Sequence, residues 1–235
     1  MLQGLLTLPV IVPVVFWAAY HYHKDRHLPE PPGNLLLCLV LGVLASIASS
    51  WFYVALEPFG LRYDAVALAG NNALGLLAYA LLVIGPLEEL AKMLPFLLVV
   101  IHFREFDEPL DGIIYASFIA LGYAAAENVH YAQFLTSVEA VARGFASPVV
   151  HMLFASIWGH WIMQARLEER SIAKAALVGF VLAALAHGVY DFIVLLRPRF
   201  SLLIAALMIG AIWLWRLKLM HALHLDAVEA SRENE

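Results

Sequence analysis

Gly85-Pro86-Leu87-Glu88-Glu89-Leu90-Ala91-Lys92-Met93-Leu94-Pro95 is the stretch whose reading decides the fold. It sets two adjacent carboxylates and a lysine between apolar sequence, Leu81 to Ile84 before and Phe96 to Ile101 after. The surrounding chain is 63% hydrophobic and 14% charged, with a mean hydropathy of +0.80. A soluble domain is about 45–50% apolar and 25% charged, so this segment belongs in a bilayer. There a single ionisable residue costs about 2.5–3.5 kcal/mol on insertion scales. Three together require partners, and Glu127, His151, His187 and Asp191 offer them from three other apolar segments.

Working outward, a span needs about 20 predominantly apolar residues. The stretches 2–20, 34–56, 71–103, 111–135, 148–165, 172–196 and 200–219 qualify. The first lacks a positive n-region and is followed by His21-Tyr22-His23-Lys24-Asp25-Arg26, which marks it as a retained span, not a cleaved signal. The stretch 71–103 is too long for a straight span and carries Gly85-Pro86 in its middle. Counting it as one broken span leaves Lys24, Arg26, Arg104, Arg166, Arg170, Lys174, Arg216, Lys218 and Arg232 on one side, against Arg62, Arg143, Arg197 and Arg199 on the other. Nine against four predicts an N-terminus outside and a C-terminus in the cytoplasm. The expectation is an all-α polytopic bundle of about seven transmembrane helices, one broken at Gly85-Pro86. It forms a single integral-membrane domain over 1–235, with a motif-bearing core at about 85–195 and a charged, fraying tail over 220–235. The loops are short. Residues 136–147 read as a small polar outer segment, and Asp111 as a capping carboxylate at the start of the fourth helix.

The formal net charge of −5 says less than this placement. Cys38 stands alone, which excludes a disulfide framework and a thiolate metal site. Basic residues are scattered, which excludes a nucleic-acid footprint.

The chemistry lies in the buried polar groups. Glu88 and Glu89, as neighbours on a helix, point about 100° apart. One can serve as ligand or base while the other pairs with Lys92, three or four residues on. Glu127 sits mid-helix with Tyr123 at i−4 and His130 and Tyr131 at i+3 and i+4, among small residues that permit close helix packing. His151 follows Pro148 just inside the fifth span. His187 and Asp191 share a face at i and i+4, a spacing that suits two ligands on one metal or a histidine with its orienting carboxylate. Carboxylate and imidazole without thiolate favour Zn2+ or a similar divalent ion, whose bound water gives its proton to a nearby glutamate. Asn128, Tyr123 or a protonated histidine are the candidate oxyanion donors.

Four motifs in this order resemble the PrsW family of intramembrane metalloproteases: Glu88-Glu89-x-x-Lys92, Asp111-Gly112-x-x-Tyr115 running to Gly122-Tyr123-Ala124-x-x-Glu127-Asn128, His151-x-x-Phe154, and His187-Gly188-x-x-Asp191. They are more remotely similar to the CAAX prenyl endopeptidase and bacteriocin-immunity (ABI) superfamily. That pattern has Arg one residue later than Lys92, His in place of Glu127 and Asn in place of Asp191, which sets this chain apart from prenyl-protein processing. The resemblance implies a multi-span protease cutting a membrane-tethered protein, such as an anti-sigma factor, near its outer side. It implies Glu88 or Glu89 as base or ligand, and Glu89, Glu127, His151, His187 and Asp191 as the metal ligands. A proton- or cation-coupled transporter, or a non-catalytic immunity or scaffold relative, is the competing class, since buried Glu, Asp, His and Lys also build proton relays.

Overall fold

In hydrocarbon every backbone N–H and C=O must be satisfied within the chain, so an apolar sequence of this kind resolves into helices. The computed structural model describes residues 2–24, 29–197 and 199–233, with side chains except at 2–7, 24, 202 and 224–233. No strand occurs among the described residues. The helices are α1 (Leu2–Lys24), α2 (Pro32–Ala55), a short α3 (Ala65–Asn71), α4 (Ala73–Tyr79), α5 (Gly85–Leu98), α6 (Asp111–Ala132), α7 (Ser137–Leu167), α8 (Ile172–Leu196) and α9 (Ser201–Glu233). Six apolar segments among the described residues are long enough to cross a membrane, so the protein is an integral, multi-pass membrane protein. The expected first span over 2–20 lies within α1, whose side chains are described only from Leu8.

The expected break at Gly85-Pro86 takes a milder form. Ala73–His102 is one continuous apolar crossing, and α4 passes into α5 through a π-helical turn, Ala80–Ile84. Proline at the second position of α5 needs no N–H partner in a first turn. The wide turn before it accommodates the ring without rupturing the helix.

Three further expectations need correction. Residues 137–147 are helix, not loop: Thr136 and Glu139 form a reciprocal capping box that starts α7 at Ser137, and Pro148 is carried inside it. Asp111 does not cap α6; its Oδ2 accepts from the backbone N–H groups of Asp107 and Glu108, 2.9 and 2.6 Å away, and so folds the preceding turn. Arg216, counted among the flanking charges, is buried, with Nη2 2.7 Å from His21 Nε2 and 2.9 Å from Ser117 Oγ. The C-terminal segment continues as α9 through Glu233.

The core runs along α6, whose apolar window is 78% buried, whereas that of α9 is 17% buried and peripheral. Helices α2 and α7 flank α6 in backbone contact. A Cβ on Gly122 would stand 1.9 Å from Leu39 O, and one on Gly42 would stand 1.9 Å from Ile119 O. The crossing of α5 with α8 is equally tight: a Cβ on Gly85 would lie 2.3 Å from Ala184 O, and one on Gly188 would lie 2.6 Å from Ala80 O. Only there can Glu88 and Glu89 come within reach of His187.

Two outcomes are expected. Gly188→Ala forces α8 off the π turn, at a cost of about 1–3 kcal/mol for overpacking, and lowers the melting temperature in detergent by roughly 2–4 °C per kcal/mol; an unchanged melting temperature would mean the crossing is loose. In the turn before α6, burial with the carboxylates of Asp111 and Asp107 pushes Glu108 up to about 7. The folded state therefore binds the extra proton, and stability falls as pH rises from the ordinary carboxylate value of 4.5 towards 7, then levels. A pH series of melting curves should show this slope reduced in Glu108→Gln.

Candidate active site

The π turn and Pro86 set the direction of the next two side chains. Glu88, in the first turn of α5, faces α2 and α8; Glu89, one residue on, faces α7 and α8. Glu89 is fully buried and fully engaged. Its Oε1 lies 2.5 Å from Lys92 Nζ and 2.7 Å from His187 Nδ1, and its Oε2 accepts from Trp158 Nε1 at 3.0 Å. The pairing of one carboxylate with Lys92 is thus between Glu89 and Lys92, at i and i+3.

From Lys92 the network continues. Its Nζ is 3.1 Å from His151 Nδ1 and 5.2 Å from the centre of the Tyr123 ring. An ammonium only donates, so His151 Nδ1 accepts and its Nε2–H donates to Glu127 Oε2, 2.9 Å away. Glu127 Oε1 is held by Arg143 Nη2 at 3.0 Å. A carboxylate only accepts, so His187 Nδ1–H donates to Glu89, and in the neutral ring Nε2 then carries the free lone pair. That nitrogen faces two carboxylates, Glu88 Oε2 at 3.6 Å and Asp191 Oδ2 at 3.5 Å. Glu88 Oε2 has no hydrogen-bond partner; its Oε1 accepts from Tyr53 Oη at 3.4 Å.

Buried atoms that face each other without a hydrogen bond fit a cation. Ligands about 2.0–2.2 Å from a tetrahedral ion stand about 3.4 Å apart, close to the 3.6 Å between Glu88 Oε2 and His187 Nε2. Glu88, His151 and His187, all buried, each offer a donor atom, and these atoms lie within 4.8 Å of one another. The donor set is nitrogen and carboxylate, which suits zinc or a similar divalent ion.

Six sequence-predicted residues (Glu88, Glu89, Glu127, His151, His187 and Asp191) are brought to one cluster from α5, α6, α7 and α8. Asn128 is buried beside Glu127 in sequence, with both amide atoms unpartnered. Tyr123 is committed elsewhere, donating to Ser49 Oγ at 3.0 Å. His130 is exposed and packs edge-to-face with Tyr131 and Phe134. Sequence reasoning missed Tyr53, Arg143 and Trp158. Two of these had a signal: Trp158 is seven residues beyond His151 on α7, and Arg143 eight before it, hence near one face once Thr136-x-x-Glu139 is read as a helix start.

The family model described as "PrsW family intramembrane metalloprotease" matches residues 30–217. Relatives named "Protease PrsW" include one from Geobacillus kaustophilus, 29% identical over 203 residues, covering 86% of this chain and 85% of the relative. Another, from Clostridioides difficile, is 28% identical over 220 residues, covering 91% and 88%. The Bacillus subtilis protein is 29% identical over 184 residues, covering 78% and 79%. No solved structure matches the chain.

The Glu89–Lys92 pair sets an expectation of its own. Removing one partner of a buried ion pair costs about 3–5 kcal/mol because the other charge is stranded. Lys92→Met should therefore melt far below wild type, and Glu89→Gln/Lys92→Met should recover part of the loss. Additive melting losses in the double variant would show that the pair does not act as a unit.

Proposed function

Because the chain belongs to the PrsW family of intramembrane metalloproteases and is thus a peptide hydrolase, we propose that it cuts a membrane-tethered protein, of the anti-sigma-factor kind, by metal-dependent hydrolysis at the Glu88–His151–His187 cluster. The observation that carries this reading is the open Nε2 of His187, set between two carboxylate oxygens that it does not hydrogen-bond.

Glu88, His151 and His187 would hold the ion, His151 through its Nδ1 once Lys92 gives up that lone pair. A bound zinc lowers the pKa of its water towards about 7 and polarises a carbonyl. The carboxylates with both oxygens engaged take a different part. Glu89 fixes the ring and tautomer of His187, and Glu127 does so for His151, each through an N–H donated to the carboxylate. The ligand roles first expected for Glu89 and Glu127 therefore pass inward to the histidines they orient. The base expected among the glutamates is Asp191 in this reading. It is beside His187 Nε2, outside the Glu–His–His cluster, and its side chain is 21% exposed, so a water can reach it. Asn128, whose amide is uncommitted, is the donor for the oxyanion.

Orientation follows from the flanking charges still at the surface. Arg104, Arg166, Arg170, Lys174 and Lys218 outnumber Arg62, Arg197 and Arg199, which supports a joint between α6 and α7 outside and a C-terminus in the cytoplasm. Glu127 and Arg143 lie near that joint, so in this reading the site leans outward, and the bacterial origin of the relatives supports the cell membrane as its location.

The test is metal content and cleavage of a single-span reporter in liposomes. Glu88→Gln, His151→Ala and His187→Ala should each lose zinc and activity together. Asp191→Asn should keep its zinc and lose about 10²–10⁴-fold in kcat, the usual worth of a general base. A wild-type protein that cleaves at full rate after chelation, or an Asp191→Asn variant at wild-type rate, would refute the assignment.

A further inference from the structure

Arg143 stands on α7 eight residues before His151, about two turns closer to the joint with α6. Two side chains one turn apart on α6 receive its guanidinium. Nη2 is 3.0 Å from Glu127 Oε1, and the guanidinium carbon is 4.2 Å from the centre of the Tyr131 ring. The side chain is 34% exposed, against 16% for Glu127 and 5% for His151, so the three residues form a line from the wet edge of the bundle into its interior. Each carboxylate oxygen of Glu127 has one charged or imidazole partner: Oε1 the guanidinium, Oε2 the His151 Nε2–H.

From this geometry we infer that Arg143 is a positioning residue for the peptidase reaction, acting through Glu127 on the imidazole of His151. The inference rests on the reading that His151 serves the reaction centre. A glutamate side chain has several rotamers of similar energy, and His151 alone would hold it by one oxygen. The guanidinium is planar, stacked on Tyr131, and bonded to the second oxygen, so it removes that freedom. With Glu127 immobile, His151 keeps its Nε2–H on the carboxylate and its Nδ1 lone pair turned towards Lys92 and the cluster. Without Arg143, Glu127 can swing to water, and the imidazole loses the partner that fixes its ring. The clamp also explains why α7 must extend back to Ser137: helix beginning at Pro148 would carry no arginine to this place.

A merely structural clamp between α6 and α7 would affect stability alone, so the test reads position and rate separately. Diethyl pyrocarbonate labelling of His151, followed by mass spectrometry on the full-length protein in detergent, reports how tightly the ring is held. His160, half-buried on the same helix, serves as the internal control for general loosening. Arg143→Met and Glu127→Gln should each raise His151 labelling at least threefold with His160 unchanged, and the double variant should label no faster than either single one. On a single-span reporter in liposomes, Arg143→Met should lose at least tenfold in kcat with KM within threefold. Arg143→Lys should fall between Met and wild type, and Arg143→Met in the Glu127→Gln background should cost less than threefold more. Unchanged His151 labelling in Arg143→Met, equal rises at His151 and His160, or losses in kcat that multiply in the double variant would each overturn the inference. So would raised labelling at unaltered kcat. Failure of the peptidase reading appears elsewhere, as a wild-type protein that neither binds zinc nor cuts the reporter. In that case the labelling series alone decides whether Arg143 positions His151.

Discussion

The carboxylate of Glu89 is the constraint on which the rest of this structure depends. It is wholly buried, and a buried ion must recover several kcal/mol of lost hydration from its neighbours. It does so with three donors from three helices: Lys92 on its own helix, Trp158 on α7 and His187 on α8. Each contact settles something further. Because Glu89 takes the Nδ1–H of His187, the Nε2 of that ring is left as an acceptor, aimed at Glu88 and Asp191. Because Lys92 is drawn to Glu89, its ammonium stands where His151 Nδ1 can accept from it, and this fixes the other tautomer choice in the cluster.

Such a network forms only if the helices meet closely, and backbone features supply that. Glycines at the α5–α8 and α2–α6 crossings admit carbonyl oxygens where a methyl group could not fit. The π turn before Gly85 shifts the register of α5, and the two consecutive glutamates, about 100° apart on the helix, serve different neighbours. π turns of this kind inside helices recur at functional sites, where a local cost in hydrogen-bond geometry is offset by the placement it achieves. Here Glu88, Glu89 and the backbone turn that precedes them lie in the same eleven residues, 80–90.

Those eleven residues explain why the chemistry was legible in the sequence. In an apolar chain every interior ionisable residue stands out, and i, i+3 and i+4 spacings show which of them share a face; His187 with Asp191 was readable in this way, as was a glutamate paired with Lys92, though not which of Glu88 and Glu89 it is. Segment boundaries were harder. Pro148 looks like a helix start, yet the reciprocal hydrogen bonds of Thr136 and Glu139 start the helix eleven residues earlier, at Ser137. Mistaking that start turned Arg143 into a loop charge. Arg216 was misplaced for a related reason: charge counting sorts residues by segment, not by face, and its guanidinium points inward to His21 and Ser117. The identity of Tyr53 as a partner was illegible, because a hydrogen bond between residues 35 positions apart leaves no periodic trace.

Side-chain exposure around the cluster is graded, and the gradient bears on how water takes part. Arg143 is 34% exposed, Asp191 21%, Glu88 10%, His187 3%, and Lys92 and Glu89 not at all. The dry end is closed by rings: Trp158, Phe96 and Phe106 are fully buried, with centroids 5.1 Å apart for Trp158–Phe96 and 5.5 Å for Phe96–Phe106. Water therefore reaches the cluster from the Arg143–Asp191 edge and stops at Glu89. Hydrolysis needs this asymmetry. A water must enter, but the ion pair that fixes the histidines acts at full strength only where water is excluded, since an interaction weakened at the dielectric of bulk solvent grows as the surroundings become apolar. In the proposed reaction a peptide carbonyl would enter at this edge, with Glu89, which orients His187, lying behind it in the dry interior.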